Sequence, residues 1–209
     1  VNLDPKNLEG RSLYLVAPAQ LAAGHLAGLV GDLASAGVDI VQLREKDMSP
    51  DEIRKVAPSI ADACHAAGIL FILNDLPDLA AEVGADGVHV GQEDAPVPAA
   101  RRAAGGIVGL STHSRDQIVG AEPLRPDYIA VGPVYETPTK PGRPAVGLEL
   151  ISFAARLATM PWFAIGGIDA GNIDAVVAAG ASRVVVVRAI TEAEDPVAAA
   201  AGLKAALPG

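Results

Sequence analysis

The stretch IVQLREKDMSPDEIRKVAPSIADACHAAGILFILND, Ile40 to Asp75, holds one complete strand–helix–strand unit. Two short β-rich runs, Ile40 to Arg44 and Leu70 to Asn74, flank a longer alanine-rich segment, Ser49 to Ala67. Ser49-Pro50-Asp51-Glu52 supplies an N-cap, a first-turn proline and acidic residues that complement the helix dipole. Gly68 follows, at the position where a left-handed residue ends a helix. The strand runs are apolar on both faces, as in a parallel sheet with helices outside and a packed interior.

Working outward, the same alternation recurs. Further strands are expected at Leu13 to Ala17, Gly87 to Val90, Ile107 to Ser111, Tyr128 to Val131, Trp162 to Ile165 and Arg183 to Val187. Helical segments are expected at Leu21 to Ala36, Asp169 to Ala179 and Pro196 to Ala206, and glycines such as Gly37, Gly84 and Gly180 follow helices. Eight such units predict an α/β fold, a single-domain (β/α)8 TIM barrel over residues 1–209. A Rossmann or flavodoxin-like sheet would want a glycine fingerprint after the first strand, and Ala17-Pro18-Ala19-Gln20 has none. The Pro- and Gly-rich Pro138 to Gly147 reads as an active-site loop, not a linker.

Composition narrows the function classes. With 209 residues, half of them apolar, the chain suffices for one sizeable core. The 25 acidic against 16 basic residues give a net charge of −9, which repels nucleic acid and anionic membranes. Cys64 is the sole cysteine, so no disulfide framework exists; it is expected to pack in a helix, in a reduced cytoplasmic setting. No apolar run is long enough to span a bilayer, and Val1 to Gly10 lacks the flank and apolar run of a secretory signal. The expected partners are small-molecule substrates, with neither nucleic acid nor membrane, and a homo-oligomer stays open.

In a barrel, chemistry sits at the C-terminal ends of strands. Gln42, Arg44 and Lys46 alternate, so on an extended segment they project to one side, toward the barrel mouth, as anion-binding groups or as a buried ion-pair plug. Asp75 and Asp94 end adjacent strands, an arrangement that suits Mg²⁺ held by one or two carboxylates; helix capping is the structural alternative for Asp75. Two of the five lysines, Lys46 and Lys140, fall at the mouth, Lys140 within the hydroxyl- and proline-rich loop Glu136 to Gly142. Gly166-Gly167 makes either a phosphate nest or a tight turn that needs glycine. His89 is expected to be a packed structural histidine, His113 is undecided at the mouth, and no zinc spacing, nucleophile elbow or P-loop appears.

Taken together, VQLREKD at Val41 to Asp47, ND at Asn74-Asp75, ADGVHVGQED at Ala85 to Asp94, GLSTH at Gly109 to His113, VGPVYETPTKPG at Val131 to Gly142 and AIGGI at Ala164 to Ile168 resemble the thiamine-phosphate synthase family. The resemblance spans nearly the whole chain in order. It implies that Gln42 to Lys46 (with Leu43, Arg44 and Glu45 between), Asn74, Ser111 and Lys140 contact a pyrimidine pyrophosphate, with Arg44, Lys46 and Lys140 catalytic. It implies Mg²⁺ on Asp75 and Asp94, and a thiazole phosphate surrounded by Thr137, Pro138, Thr139, Gly167, Val187 and Arg188. Two positions depart from the family pattern. Arg188 stands where many members have serine, a change that a backbone contact to phosphate survives, and Leu76 replaces an arginine common after the ND pair.

The inventory agrees with that chemistry. A thiazole nitrogen attacks with its own lone pair, so no general base is needed. The groups required are those that stabilise a departing pyrophosphate, and Arg44, Lys46, Lys140 and a divalent cation suit that task. Two other functions fit a similar barrel. One is a thiazole tautomerase, which would need a histidine acid/base and no metal; the other is a non-catalytic sensor of phosphorylated ligands.

Overall fold

The computed structural model describes residues 8–137 and 144–208. Eight parallel strands close into a barrel. They are β1 (Leu13–Ala17), β2 (Ile40–Leu43), β3 (Leu70–Asn74), β4 (Gly87–Val90), β5 (Ile107–Thr112), β6 (Tyr128–Val131), β7 (Trp162–Ile165) and β8 (Val184–Val186). Neighbours in sequence are neighbours in the barrel, and closure is made where Leu13 pairs with Val184 and Tyr14 with Val185. The helices between strands are α1 (Leu26–Ser35), α2 (Pro50–Ala67), α3 (Pro77–Ala80), α4 (Val97–Ala104), α5 (Arg115–Ala121), α6 (Gly147–Leu157), α7 (Ile173–Ala178), α8 (Arg188–Thr191) and α9 (Pro196–Ala205). Among the described residues no helix is long and apolar enough to cross a membrane.

Strand parity divides the core in two. Odd and even positions point to opposite faces, so Leu13, Leu15, Val41, Leu43, Phe71 and Leu73 pack outward under the helices. Tyr14, Ile40, Leu70, Ile72, Ile107, Tyr128 and Phe163 fill the lumen. Cys64 of α2 is fully buried in the outer core, as its helical setting suggests, and burial pushes its thiol up to about 12.

The best-defined helix start is where the sequence placed it. Ser49 and Glu52 form a reciprocal capping box at α2, with Pro50 and Asp51 in the first turn. Gly68 closes that helix at φ 74, where a Cβ would be strained. Elsewhere the boundaries differ. The segment expected as a helix from Leu21 begins instead with a small hairpin, Gln20–Leu21 against Gly24–His25, and α1 starts at Leu26. Asp169 does not begin α7: it makes an Asx-type turn, accepting from the Gly171 N–H at 2.8 Å, and the helix starts at Ile173. Strands β2 and β8 are shorter than expected, whereas β5 runs one residue further, to Thr112.

At the N-terminal end of the barrel one device repeats three times. Asp39, Asp86 and Asp127 immediately precede β2, β4 and β6, and each carboxylate accepts a backbone N–H from the preceding strand: Leu13 at 3.0 Å, Phe71 at 2.8 Å and Val108 at 2.8 Å. Each also meets a basic side chain, Lys204 at 2.7 Å, His65 at 3.3 Å and Arg101 at 2.8 Å respectively. Arg183 takes the equivalent place before β8 and donates to the Arg11 carbonyl at 3.2 Å.

Candidate active site

Along the lumen the side chains change from apolar to polar toward the C-terminal strand ends. On β2 Ile40 gives way to Gln42, on β3 Ile72 to Asn74, and on β5 Ile107 to Ser111. Above this transition opens a cavity of about 370 Å³, within the range of small-molecule sites. Of the residues singled out from sequence, Gln42, Arg44, Asn74, Ser111, Thr137, Gly167, Val187 and Arg188 line it.

The expected stripe of Gln42, Arg44 and Lys46 is broken, because β2 ends at Leu43. Arg44 still continues the ladder, its N–H bonded to the Ala17 carbonyl at 2.9 Å, and its side chain reaches the cavity half-buried. Burial lowers the guanidinium pKa from its ordinary value and the nearby Asp75 charge opposes that shift. Lys46 lies on the exposed loop beyond the strand. Leu43 faces the outer core, and Glu45 accepts the Ala19 N–H at 2.6 Å, tying the β1 loop to the β2 loop. Pro138, Thr139 and Lys140 fall outside the described residues.

Beneath the cavity runs a chain of buried hydrogen bonds. Gln42 Nε2 donates to the Tyr14 hydroxyl at 2.5 Å, Tyr14 and Tyr128 hydroxyls lie 2.9 Å apart, Tyr128 is 3.0 Å from His89 Nδ1, and His89 Nε2 is 2.9 Å from Ser111 Oγ. The rings of Tyr14, Tyr128 and Phe163 pack edge to face with centroids 5.4–5.9 Å apart, a preferred aromatic geometry. His89 is 8% exposed, in keeping with a packed structural histidine, yet it also lines the cavity. His113 lines the cavity as well, and its Nδ1 sits 2.6 Å from the Gly132 carbonyl, so that nitrogen carries the proton and donates.

After β7 the chain turns at Gly166 (φ 103) and Gly167 (φ 65). A Cβ on Gly166 would stand 2.5 Å from Pro133 Cα, and one on Gly167 would stand 2.7 Å from Tyr135 Cβ. Glycine is therefore required here for conformation and close approach, and the same turn brings backbone to the cavity wall. Asn172 secures it by donating to the Gly167 carbonyl at 2.8 Å while accepting from the Asp169 N–H. After β8, α8 begins at Arg188, with Val187 as N-cap; the first-turn N–H groups of such a helix have no intrahelical acceptor. The Arg188 side chain stands 3.9 Å from Glu192, an exposed pair at the limit of an ion contact.

Asp75 and Asp94 follow the neighbouring strands β3 and β4. Asp75 takes a left-handed conformation, φ 64, rare for a residue with a side chain. Its N–H donates to the His89 carbonyl at 2.8 Å, and its carboxylate accepts from Asn74 Nδ2 at 2.6 Å. The N-cap of α3 is Leu76, so the capping alternative for Asp75 does not hold. Asp94 is exposed and accepts the Gly91 N–H at 2.7 Å. Among the described residues no group of three His, Cys, Asp or Glu converges as a metal cage. A hard cation can be held by as few as one or two carboxylates when phosphate and water complete its shell.

Tyr14 and Tyr128 escaped the sequence reading, because inside an apolar strand a tyrosine carries no signal beyond bulk. Gln92, which donates to the Ser111 carbonyl at 2.6 Å, and Glu192 at the rim were missed for the same want of a local pattern.

A closed parallel barrel with its polar groups gathered at the C-terminal strand ends defines a (β/α)8-barrel enzyme. The family model described as thiamine monophosphate synthase matches residues 13–190, and the chain belongs to that family. It is 46% identical over 223 residues to a thiamine-phosphate synthase of Arthrobacter sp. strain FB24, covering 93% of each chain. To a thiamine-phosphate synthase of Thermus thermophilus it is 51% identical over 176 residues, covering 84% of this chain and 85% of that protein. Among solved structures it is similar to a thiamine phosphate pyrophosphorylase from Pyrococcus furiosus, with a TM-score of 0.85 at 28% identity, covering 94% and 95% of the two chains. A 3-hexulose-6-phosphate synthase at 22% identity and a TM-score of 0.69 shares the fold.

Proposed function

We propose that this transferase condenses 4-amino-2-methyl-5-pyrimidinylmethyl pyrophosphate with 4-methyl-5-(2-phosphoethyl)thiazole, or its carboxylated form, to give thiamine phosphate and pyrophosphate. The observation that carries this reading is the convergence on one cavity of Gln42, Arg44, Asn74 and Ser111 from one side and Thr137, Gly167 and Val187-Arg188 from the other. The first group suits an aminopyrimidine pyrophosphate and the second a phosphorylated thiazole, so the two rings meet at the centre of the mouth.

The residues divide the work by charge. Arg44, half-buried and therefore poorly screened, attracts the negative charge that grows on the leaving group. Lys46 and Lys140 are the further cations assigned to the leaving pyrophosphate. Asp75 and Asp94 would hold Mg²⁺, which would supply positive charge against the pyrophosphate oxygens. The Gly167 turn and the start of α8 offer backbone N–H groups to the thiazole phosphate. The C–O bond breaks toward pyrophosphate and the thiazole nitrogen supplies the electron pair of the new C–N bond. No side chain need remove a proton, because the thiazole nitrogen attacks with its own lone pair.

The direct test is pyrophosphate release from purified protein given both substrates, with and without magnesium. Release that needs both substrates and the metal, matched by thiamine phosphate, is expected. A second reading, isomerisation of a thiazole phosphate, has His113 at the cavity wall in its favour. Thiazole conversion without the pyrimidine substrate and without pyrophosphate release would select it instead.

A further inference from the structure

We propose that Tyr14, Tyr128 and His89 act as one polarised hydrogen-bond relay that makes Ser111 a hydrogen-bond donor toward the substrate. This rests on the reading of Ser111 as a contact to the pyrimidine substrate. The relay spans the lumen from β2 to β5, and both its ends, Gln42 and Ser111, line the cavity. Its direction follows from counting protons. Gln42 Nε2 can only donate, so the Tyr14 oxygen accepts and its single O–H proton turns to Tyr128. Tyr128, having accepted, donates its own proton to His89 Nδ1. The histidine proton therefore sits on Nε2 and is given to Ser111 Oγ. Ser111 has then accepted within the protein, and its remaining hydroxyl proton is directed to the cavity, where it reads an acceptor such as a ring nitrogen.

With the Gln42 amide donating, as it stands, any other assignment along these bonds sets two protons face to face or leaves a buried hydroxyl proton without an acceptor, which costs more than a hydrogen bond returns; turning the amide over would reverse the whole relay. Tyr14 and Tyr128 are both fully buried, and burial raises the pKa of each phenol above its ordinary value, so both keep the proton the relay needs. Gly109 is a second, independent sign that the relay is built. A Cβ there would come within 2.6 Å of His89 Nδ1 and nearer still to the end of the Tyr128 ring, closing the slot in which the two meet. Nothing else about β5 requires glycine, since Gly109 lies in regular strand between Val108 and Leu110.

The relay makes Tyr14 and Tyr128 positioning residues, acting on substrate through His89 and Ser111. The ¹⁵N imidazole signals of the folded chain, with the His89 signal assigned by its loss in His89→Asn, are expected to show the proton on Nε2. A proton on Nδ1, or on both nitrogens, would overturn the proposal. Gln42→Glu, once ionised, replaces the donor by a group that only accepts, so at a pH where the new carboxyl is ionised it should reverse the relay and move the His89 proton to Nδ1; an unmoved proton there would also overturn it. In turnover, Tyr128→Phe is expected to raise KM for the pyrimidine pyrophosphate about tenfold, the worth of one buried hydrogen bond, and to leave KM for thiazole phosphate within about twofold. An equal rise in both, or none, would count against the relay. If the wild-type chain made no thiamine phosphate, the functional reading would fail on its own, and the ¹⁵N signals would still decide the polarity.

Discussion

The two ends of the barrel place the same residue types in different surroundings. At the N-terminal end, Asp39, Asp86 and Asp127 each accept a strand N–H and meet a cationic or basic side chain, so every charge is consumed by the fold. At the C-terminal end, Asp75 and Asp94 follow β3 and β4 at a mouth where Arg44 and Arg188 border an open cavity. A carboxylate that satisfies a backbone N–H lowers the free energy of the closed barrel. A carboxylate held at a mouth in a strained backbone, as Asp75 is, is where a functional role is proposed instead. On that proposal, stability and function separate along the barrel axis.

A matched pair of substitutions separates the two ends. Asp75→Asn keeps a side chain that tolerates φ 64 but removes the charge. It should lower magnesium-dependent turnover by about a hundredfold or more while the melting temperature stays put; unchanged kinetics would remove Asp75 from the site. Asp127→Ala should do the reverse. It strands the Val108 N–H and Arg101, costing about 2 kcal/mol and lowering Tm by about 5 °C for a chain of this size, with turnover at low temperature intact. A thermal melt and a rate for each variant decide both.

Smaller effects refine the picture. Arg188→Ser should change KM for thiazole phosphate by no more than about threefold, because the Glu192 contact is exposed and long and the backbone N–H groups of α8 remain. A larger rise, measured by steady-state kinetics, would assign the phosphate to the guanidinium. Smallest of all is the response of Cys64. With its thiol pushed up to about 12 by burial and by the Asp86 charge, almost no thiolate exists at a pH of about 8. Alkylating agents should leave the folded chain unlabelled and modify it only after unfolding, as intact mass would report.

Much of the architecture was legible because it depends on local pattern. The runs Leu13–Ala17, Leu70–Asn74, Gly87–Val90, Tyr128–Val131 and Trp162–Ile165 form strands with the expected bounds, since short apolar runs between capped helices have few alternatives. Boundaries failed where side chains compete for backbone groups. Asp169 and Asn172 bond the turn before α7 and delay it, and the β1 loop folds into a hairpin before α1. Residues on one strand, such as Gln42, were readable by parity, whereas Lys46 lies beyond Leu43, where β2 ends and strand alternation no longer fixes a direction.

Contacts between near neighbours in the chain encode the βα alternation, the capped start of α2, the glycine turn after β7 and the order of polar motifs at strand ends. Only the tertiary structure decided that Gln42, Tyr14, Tyr128, His89 and Ser111 share one buried relay, and that three aspartates lock the opposite end. Those bonds join residues as far apart as Tyr14 and Tyr128, 114 positions along the chain. No local pattern encodes such a pairing, because barrel closure brings those strands together.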